Sequence, residues 1–400
     1  MQSIREVFYI GHGPSSSHTI GPYNAAKYIL EKYPNSQQIT VNLFGSLAST
    51  GKGHLTDYVL DQLLKDVPHR IVFNTKKLVR HPNTMLFEVT LPNGIKKKEV
   101  IVSVGGGVIR TQDKRSLKGK DLYPHRTLTE ILEYCAKFGY RLDEYVLYHE
   151  DEEILTYIDE IYNAMKTAVK RGIEKDGDLP GNLHVKRKAK TMYENMLKDH
   201  KEDDIQTNVA IASFAASEEN ASGGLIVVAP TCGSAGVLPG VVRYLEMMKV
   251  SKEKIQSGFL VAGLIGMLAK TNASISGAEA GCQAEIGVAC AMGSAMIATA
   301  LGYDNYEIAQ SAEVALEHSL GLTCDPVEGF VQIPCIERCA IFALKAINAA
   351  SIVSLLPKES NKITFDESLM TMYLTGKDLH VGYRETAKKG LAKVLKKKNK

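Results

Sequence analysis

The chain has 400 residues, of which 44% are hydrophobic and 23% are charged, and its formal net charge is +3. This composition is typical of well-packed globular proteins, the length favours two domains, and the charge is too small to indicate nucleic acid as a partner. No apolar stretch reaches the roughly eighteen residues of a membrane span, and the first residues lack a secretory signal, so we expect a cytoplasmic protein without membrane contact.

Short strands and helices alternate in the first part of the chain. The segment "TIGPYNAAKYILEKY", residues 19–33, has apolar residues at helical spacing. Runs rich in β-branched and aromatic residues predict strands over 38–47 and 70–75, and two more within 84–106, where "PNG" supplies a hairpin turn. We therefore predict an α+β domain over residues 1–149.

The pattern changes near residue 150. The following segment has acidic residues at its start and basic residues at its end, which suits the helix dipole. Its apolar residues recur on one helical face: Ile154, Ile158, Ile161, Met165 and Val169. Long Ala- and Gly-rich segments follow, with "GLIVVAP" the one convincing strand. We therefore predict an all-α domain over residues 150–400.

Two polar loops interrupt the first domain. In "GPSSSHTIGP", residues 13–22, a single hydroxyl would suffice to cap the following helix, so the stretch is either a bland capping turn or a cradle in which a small anion uses the surplus hydroxyls. In "GSLASTGKGHLTD", residues 45–57, the glycine spacing does not match a phosphate-binding loop, and Gly53 stands where Ser or Thr should follow Lys52. What remains there is a histidine, His54, on a glycine-rich loop.

Seven cysteines are present, and a cytoplasmic chain is not expected to pair them in disulfides. Cys282, Cys324 and Cys335 lie beside glycine or proline in loop-like surroundings, whereas Cys290 and Cys339 resemble packing residues inside helices. Their spacing is compatible with ligands that converge on a metal cluster from separate loops, and equally with buried free cysteines. Three ligands rather than four would leave one iron open to a substrate.

Several segments together resemble one known family, the iron–sulfur L-serine dehydratases of bacteria. The matching segments occur in the family's order and span nearly the whole chain: "GPSSSHTIGP", "LFGSLASTGKGH", "LPGNLHVKRKA", "APTCGSAGVLP", "NASISGAEAGCQAEIGVACAMGSA", "LEHSLGLTCDPVEGFVQIPCIER" and "GYRETAKKGLA". Each segment alone is weak, but the set is highly specific.

The resemblance implies an oxygen-sensitive [4Fe–4S] cluster held by Cys282, Cys324 and Cys335, an active site where the two domains meet, and a homodimer. It also implies the reaction, the dehydration of L-serine to pyruvate and ammonia without pyridoxal phosphate. Some members end in a cysteine that blocks the open iron. This chain has no cysteine after Cys339, so we expect that tail to be missing.

The resemblance also suggests roles for polar residues. We expect His54 to be the general base and His18 to orient the substrate, with the reverse assignment left open. The substrate-binding residues would be Ser15, Ser16, Ser17 and Thr19 from the first loop, and Asn272, Ser274 and Ser276 from the second domain. Three further charged residues either support the site or are ordinary surface charges: Glu279, Glu285 and Lys270.

Three alternatives remain. The same scaffold could act on L-cysteine or L-threonine, because discrimination by one methyl group is weak. A non-catalytic iron–sulfur sensor would be expected to have four protein ligands and a basic face. The simplest alternative is a metal-free helical protein with buried cysteines, which an iron assay would distinguish.

Overall fold

A computed structural model describes residues 1–77, 79–111, 121–357 and 361–398. The predicted fold class is confirmed, because a small sheet-containing α+β region precedes a region that is mostly helical. Within the described residues, no helix combines the length and the apolar character needed to cross a membrane.

The strands of the described residues are β1 (Tyr9–His12), β2 (Gln38–Phe44), β3 (His69–Asn74), β4 (Thr84–Thr90), β5 (Lys96–Ser103), β6 (Ile109–Thr111) and β7 (Leu225–Val228). Five of them form one sheet in the order β3-β2-β4-β5-β6, in which β2 is parallel to β3 and the other neighbours are antiparallel. The predicted hairpin is the pair β4 and β5. The predicted strand over 38–47 is too long, since the chain becomes helical at Gly45.

The α-helices of the described residues are α1 (Gly21–Lys32), α2 (Gly45–Thr50), α3 (Thr56–Leu64), α4 (Leu128–Phe138), α5 (Leu142–His149), α6 (Ile154–Glu174), α7 (Ala189–Lys198), α8 (Ile205–Ala221), α9 (Val237–Met247), α10 (Lys252–Asn272), α11 (Gly277–Ala280), α12 (Val288–Ala300), α13 (Asn305–Glu317), α14 (Cys335–Val353), α15 (Phe365–Asp378) and α16 (Gly390–Lys398). Two π-helical turns, Ser16–Ile20 and Gln283–Gly287, precede α1 and α12. Such turns occur frequently at functional sites.

Two main hydrophobic cores organise these elements. The smaller core lies between the sheet and helices α1 and α3, and includes Val41, Leu60 and Phe87. The larger core surrounds α10 and α12, and it also takes in residues of α4 and α5 and the first residues of the chain, such as Phe8. The predicted boundary between residues 149 and 150 stays a prediction.

A small sheet joins the start of the chain to its middle, and a loop contact joins the first region to the C-terminal segment. Strand β1 pairs antiparallel with β7, with Tyr9 opposite Val228. The hydroxyl of Ser46, on α2, donates to the carbonyl of Glu385, which lies near the C-terminus, at 2.5 Å. These contacts bring the loop of residues 13–22 against the helical region and position the site described next.

Candidate active site

One cavity lies between the first polar loop and the helical region. Both regions contribute to its lining, which consists of Pro14, Ser15, His54, Gly233, Cys282, Glu285, Ile286, Cys324, Pro326, Val331, Cys335, Arg338 and Glu385. The three cysteines singled out from the sequence and one of the two histidines therefore face the same space.

The three cysteines reach this cavity from three separate segments. Cys282 lies between α11 and the π-turn before α12, and its N–H donates to the carbonyl of Leu322 at 3.0 Å. Cys324 lies in the loop after α13, and Cys335 is the first residue of α14. All three are free thiols. The three cysteines therefore lie around one cavity although they are far apart in the sequence.

Charged groups surround the Cys282 thiol. A hydrogen bond with Cys324 and the guanidinium of Arg338 lower the pKa of Cys282 to about 6. The hydrogen bond to Cys282 and burial raise the pKa of Cys324, and burial raises the pKa of Cys335. Burial also raises the pKa of Glu285 to about 8, and its Oε2 lies 3.9 Å from Cys324 Sγ. The site thus favours a thiolate at Cys282.

The two candidate histidines pack against each other. His18 and His54 have ring centroids 4.5 Å apart with an interplanar angle of 30°, and both side chains are almost completely buried. Burial lowers the pKa of His54 to about 4 and that of His18 well below its ordinary value. Both imidazoles are therefore neutral near pH 7.

The hydrogen bonds fix which ring nitrogens carry the protons. Because the Ser46 hydroxyl donates to a carbonyl, it must accept from His18 Nε2, which lies 3.0 Å away. His18 Nδ1 accepts from Ser17 Oγ at 2.8 Å. His54 Nδ1 donates to the carbonyl of Thr50 at 2.9 Å. This leaves His54 Nε2 with a lone pair available as a proton acceptor.

A buried carboxyl group completes this cluster. Glu385 Oε1 lies 3.5 Å from His18 Nδ1 and 3.5 Å from His54 Nε2. Burial raises the pKa of Glu385 well above its ordinary value, and its Oε2 has no hydrogen-bond partner among the described residues. The carboxyl group of Glu385 therefore lies beside the available lone pair of His54 at the edge of the cavity.

The serine-rich loop builds this geometry with its hydroxyl groups. Ser15 Oγ accepts from the His18 N–H at 3.1 Å, which is the capping role considered from the sequence. Thr19 Oγ1 accepts from the Ser15 N–H and donates to the carbonyl of His54 at 2.7 Å. Ser16 is buried, and Ser15 alone of the four hydroxyl residues lines the cavity.

Comparisons with known proteins decide the family. A family model described as serine dehydratase alpha chain matches residues 61–392, and one described as serine dehydratase beta chain matches residues 3–61. The chain belongs to the serine dehydratase family.

Relatives in this family are similar over nearly their whole length. An L-serine dehydratase of Haemophilus influenzae is 35% identical over 450 aligned positions, covering 98% of this chain and 99% of that protein. L-serine dehydratase TdcG of Escherichia coli is 36% identical, and an L-serine dehydratase of Helicobacter pylori is 37% identical, each over 98% of this chain and 99% of the relative. The serine dehydratase likeness therefore extends over both regions.

The remaining predicted residues of this serine dehydratase family member do not line the cysteine cavity. Asn272 Nδ2 donates to the carbonyl of Arg126 at 2.6 Å, and Ser274 Oγ donates to Glu279 Oε2 at 2.6 Å. Ser276 Oγ is buried and has no partner among the described residues. Lys270 donates to Glu6. A role for Asn272, Ser274 and Ser276 in substrate binding stays a prediction.

Two functional candidates in this serine dehydratase cavity were missed from the sequence, Glu385 and Arg338. Both occur inside segments that carry the family resemblance, "GYRETAKKGLA" and "QIPCIER", but nothing in their local pattern distinguishes them from surface charges. Glu285, which had stayed open, faces the cavity. All three can be recognised only once the fold brings distant segments of the chain together around the cavity.

Proposed function

We propose that this chain is an L-serine ammonia-lyase, which dehydrates L-serine to pyruvate and ammonia. The observation that carries the proposal is one cavity that combines three free cysteines with a neutral, buried histidine, His54, against which His18 packs. The L-serine dehydratases that resemble the chain over almost their full length support the same substrate.

The cysteine set fits the iron–sulfur cofactor that the family resemblance implies. Cys282, Cys324 and Cys335 would hold a [4Fe–4S] cluster, since thiolates are the usual ligands of such clusters and these three line one cavity from separate segments. When bound, the cluster would supply a Lewis acid that polarises the β-hydroxyl group of the substrate, a poor leaving group. Loss of this hydroxyl then does not require an aldehyde cofactor.

The two histidines are proposed to serve the removal of the substrate's α-proton. His54 is the proposed general base, because its neutral ring presents the Nε2 lone pair beside the cavity. His18 is the proposed orienting group, held by Ser17 and Ser46. Removal of the α-proton and loss of the β-hydroxyl give aminoacrylate, which tautomerises to an imine and hydrolyses to pyruvate and ammonia.

Ser15 is the best placed of the predicted substrate-binding hydroxyls, because it lines the cavity next to His54. Ser17 and Thr19 are engaged in hydrogen bonds that hold the two histidines, so their contribution is proposed to be positioning. The family resemblance further favours a cytoplasmic homodimer, which light scattering on the purified protein would measure.

The deciding experiment is pyruvate release from L-serine by protein purified without oxygen, beside an air-exposed aliquot and assays of iron and sulfide. We expect activity that disappears in air together with the cluster. Activity that survives air would overturn the iron–sulfur mechanism. Iron-containing protein that releases no pyruvate from L-serine, but acts on L-cysteine or L-threonine, would overturn the substrate assignment.

A further inference from the structure

The charges around the cavity are unevenly distributed. Arg338 is the one lysine or arginine among the described residues that line it, while Glu285 and Glu385 contribute two carboxyl groups. An α-amino acid brings one carboxylate and one ammonium group into this space. Its carboxylate needs a positively charged partner, because a buried anion without one is strongly disfavoured.

Arg338 is held in place at the cavity wall. It lies on α14 one helical turn after Cys335, so both side chains are on the same helix face. Its Nη1 donates to the carbonyl of Thr323 at 3.0 Å, and it also bonds the thiol of Cys282. Within the described parts of the chain it forms no salt bridge with a carboxylate, so N–H donors of its planar fork remain free.

We propose that Arg338 binds the carboxylate of the substrate. This inference rests on the proposed function and adds to it the residue that makes the site specific for amino acids with a free carboxylate. Arginine suits the role because its guanidinium pairs with carboxylates through two parallel hydrogen bonds. The hydroxyls of Ser17 and Thr19 cannot replace it, since both are already engaged.

The test compares Arg338→Gln and Arg338→Lys with a matched control, Arg243→Gln. Arg243 is half-buried like Arg338 and donates to an oxygen, Asn208 Oδ1, but lies outside the cavity. In anaerobic protein of measured iron content, one determines the KM for L-serine and the inhibition constant for serinol, which carries a hydroxymethyl group in place of the carboxylate. Calorimetry with L-alanine, which lacks the leaving group, gives a readout that does not require turnover.

In Arg338→Gln we expect the KM for L-serine and the Kd for L-alanine to rise about 10- to 100-fold, as for the loss of a charge-assisted hydrogen bond. The inhibition constant for serinol stays unchanged or falls, because serinol has no carboxylate for Arg338 to bind. For Arg338→Lys we expect KM and Kd values between those of wild type and Arg338→Gln. For Arg243→Gln we expect the wild-type values.

Several outcomes would overturn the inference. Equal weakening of L-serine and serinol, or loss of iron from both Arg338 variants, would assign Arg338 to the support of the cysteines instead. Wild-type protein that contains iron but releases no pyruvate would overturn the proposed function alone, and L-alanine binding that depends on Arg338 would still support the carboxylate contact.

Discussion

His18 and His54 lie face to face, with ring centroids 4.5 Å apart, although they come from different loops. Two charged imidazoles at this distance would repel each other, and burial further disfavours the charged forms. Both rings are accordingly neutral, and Glu385 Oε1 lies 3.5 Å from His18 Nδ1, which accepts from Ser17, and 3.5 Å from His54 Nε2, whose lone pair is free among the described residues. His54 is therefore the member of the pair that is suited to accept a proton, and His18 packs against it.

The role of His54 is tested by His54→Gln. We expect kcat to fall about 100-fold or more, the range usual for a general base, while iron content stays unchanged. The matched control is His318→Gln, because His318 is exposed at the end of α13. Turnover that persists in His54→Gln but disappears in His18→Gln would reverse the two roles.

The elements of the fold could largely be predicted because their patterns are local. The buried face of α6 is confirmed at Ile154, Ile158, Ile161 and Met165. A helix repeats every three to four residues, so its buried face is visible in one short segment. The strand over 38–47 was overextended because Gly45, with a φ of +59°, turns the chain from β2 into α2.

The site could be predicted only in part, since it depends on contacts between distant segments. The cysteines stood out because cysteine is scarce and chemically distinctive, and the structure places all three around one cavity. Glutamate and arginine are common on surfaces. Glu385 and Arg338 therefore give no signal until the loop before α16 and the start of α14 are folded against Cys282 and His54.

The pKa of His54 predicts a pH-dependent stability. Unfolded histidine titrates near pH 6.5, whereas in the folded chain the pKa of His54 is about 4. The unfolded state therefore binds more protons as the pH falls from 6.5 toward 4, and the folded state loses stability over that window. The loss attributable to His54 reaches about 2 kcal/mol at pH 5.

This effect is measured by urea unfolding of paired proteins that differ only at His54. Both carry Cys324→Ala, so that acid loss of iron does not dominate, and one also carries His54→Gln. We expect the difference in unfolding free energy to be constant above pH 7 and to shift against the histidine protein below pH 6.5. A difference that is flat between pH 7 and pH 5 would contradict the neutral, buried state of His54.

The three-cysteine assignment predicts a sharp contrast among buried thiols. Cys324→Ala and Cys335→Ala should each abolish iron binding and activity together, because a ligand is removed. Cys290→Ala is the control, since Cys290 is buried like Cys324 but lies inside α12, away from the cavity. Iron and sulfide per chain are the measurement. Wild-type iron content in Cys324→Ala would remove that residue from the ligand set.

An ion cluster around the buried carboxylate of Glu219 lies next to a contact with the serine-rich loop. The side chain of Glu219, on α8, is fully buried. Its carboxylate forms salt bridges with Arg171 at 3.1 Å, Lys175 at 2.7 Å and Arg187 at 3.1 Å. The next residue, Asn220, donates to the carbonyl of Pro14 at 3.1 Å. The loop that carries His18 is thus attached to the end of the helix that carries Glu219.

Glu219→Gln should destabilise the protein by about 1–3 kcal/mol, because buried Arg187 loses its counter-charge, whereas Arg171 and Lys175 are partly exposed and stay solvated. The control is Glu88→Gln, since Glu88 forms an exposed pair with Lys98 at 2.8 Å and should cost less than about 1 kcal/mol. Unfolding in urea measures both. We also expect Glu219→Gln to lower kcat at temperatures where it remains folded, as the Pro14 contact loosens. Equal stability of the two variants would show that solvent can replace Glu219, and that the loop does not depend on it.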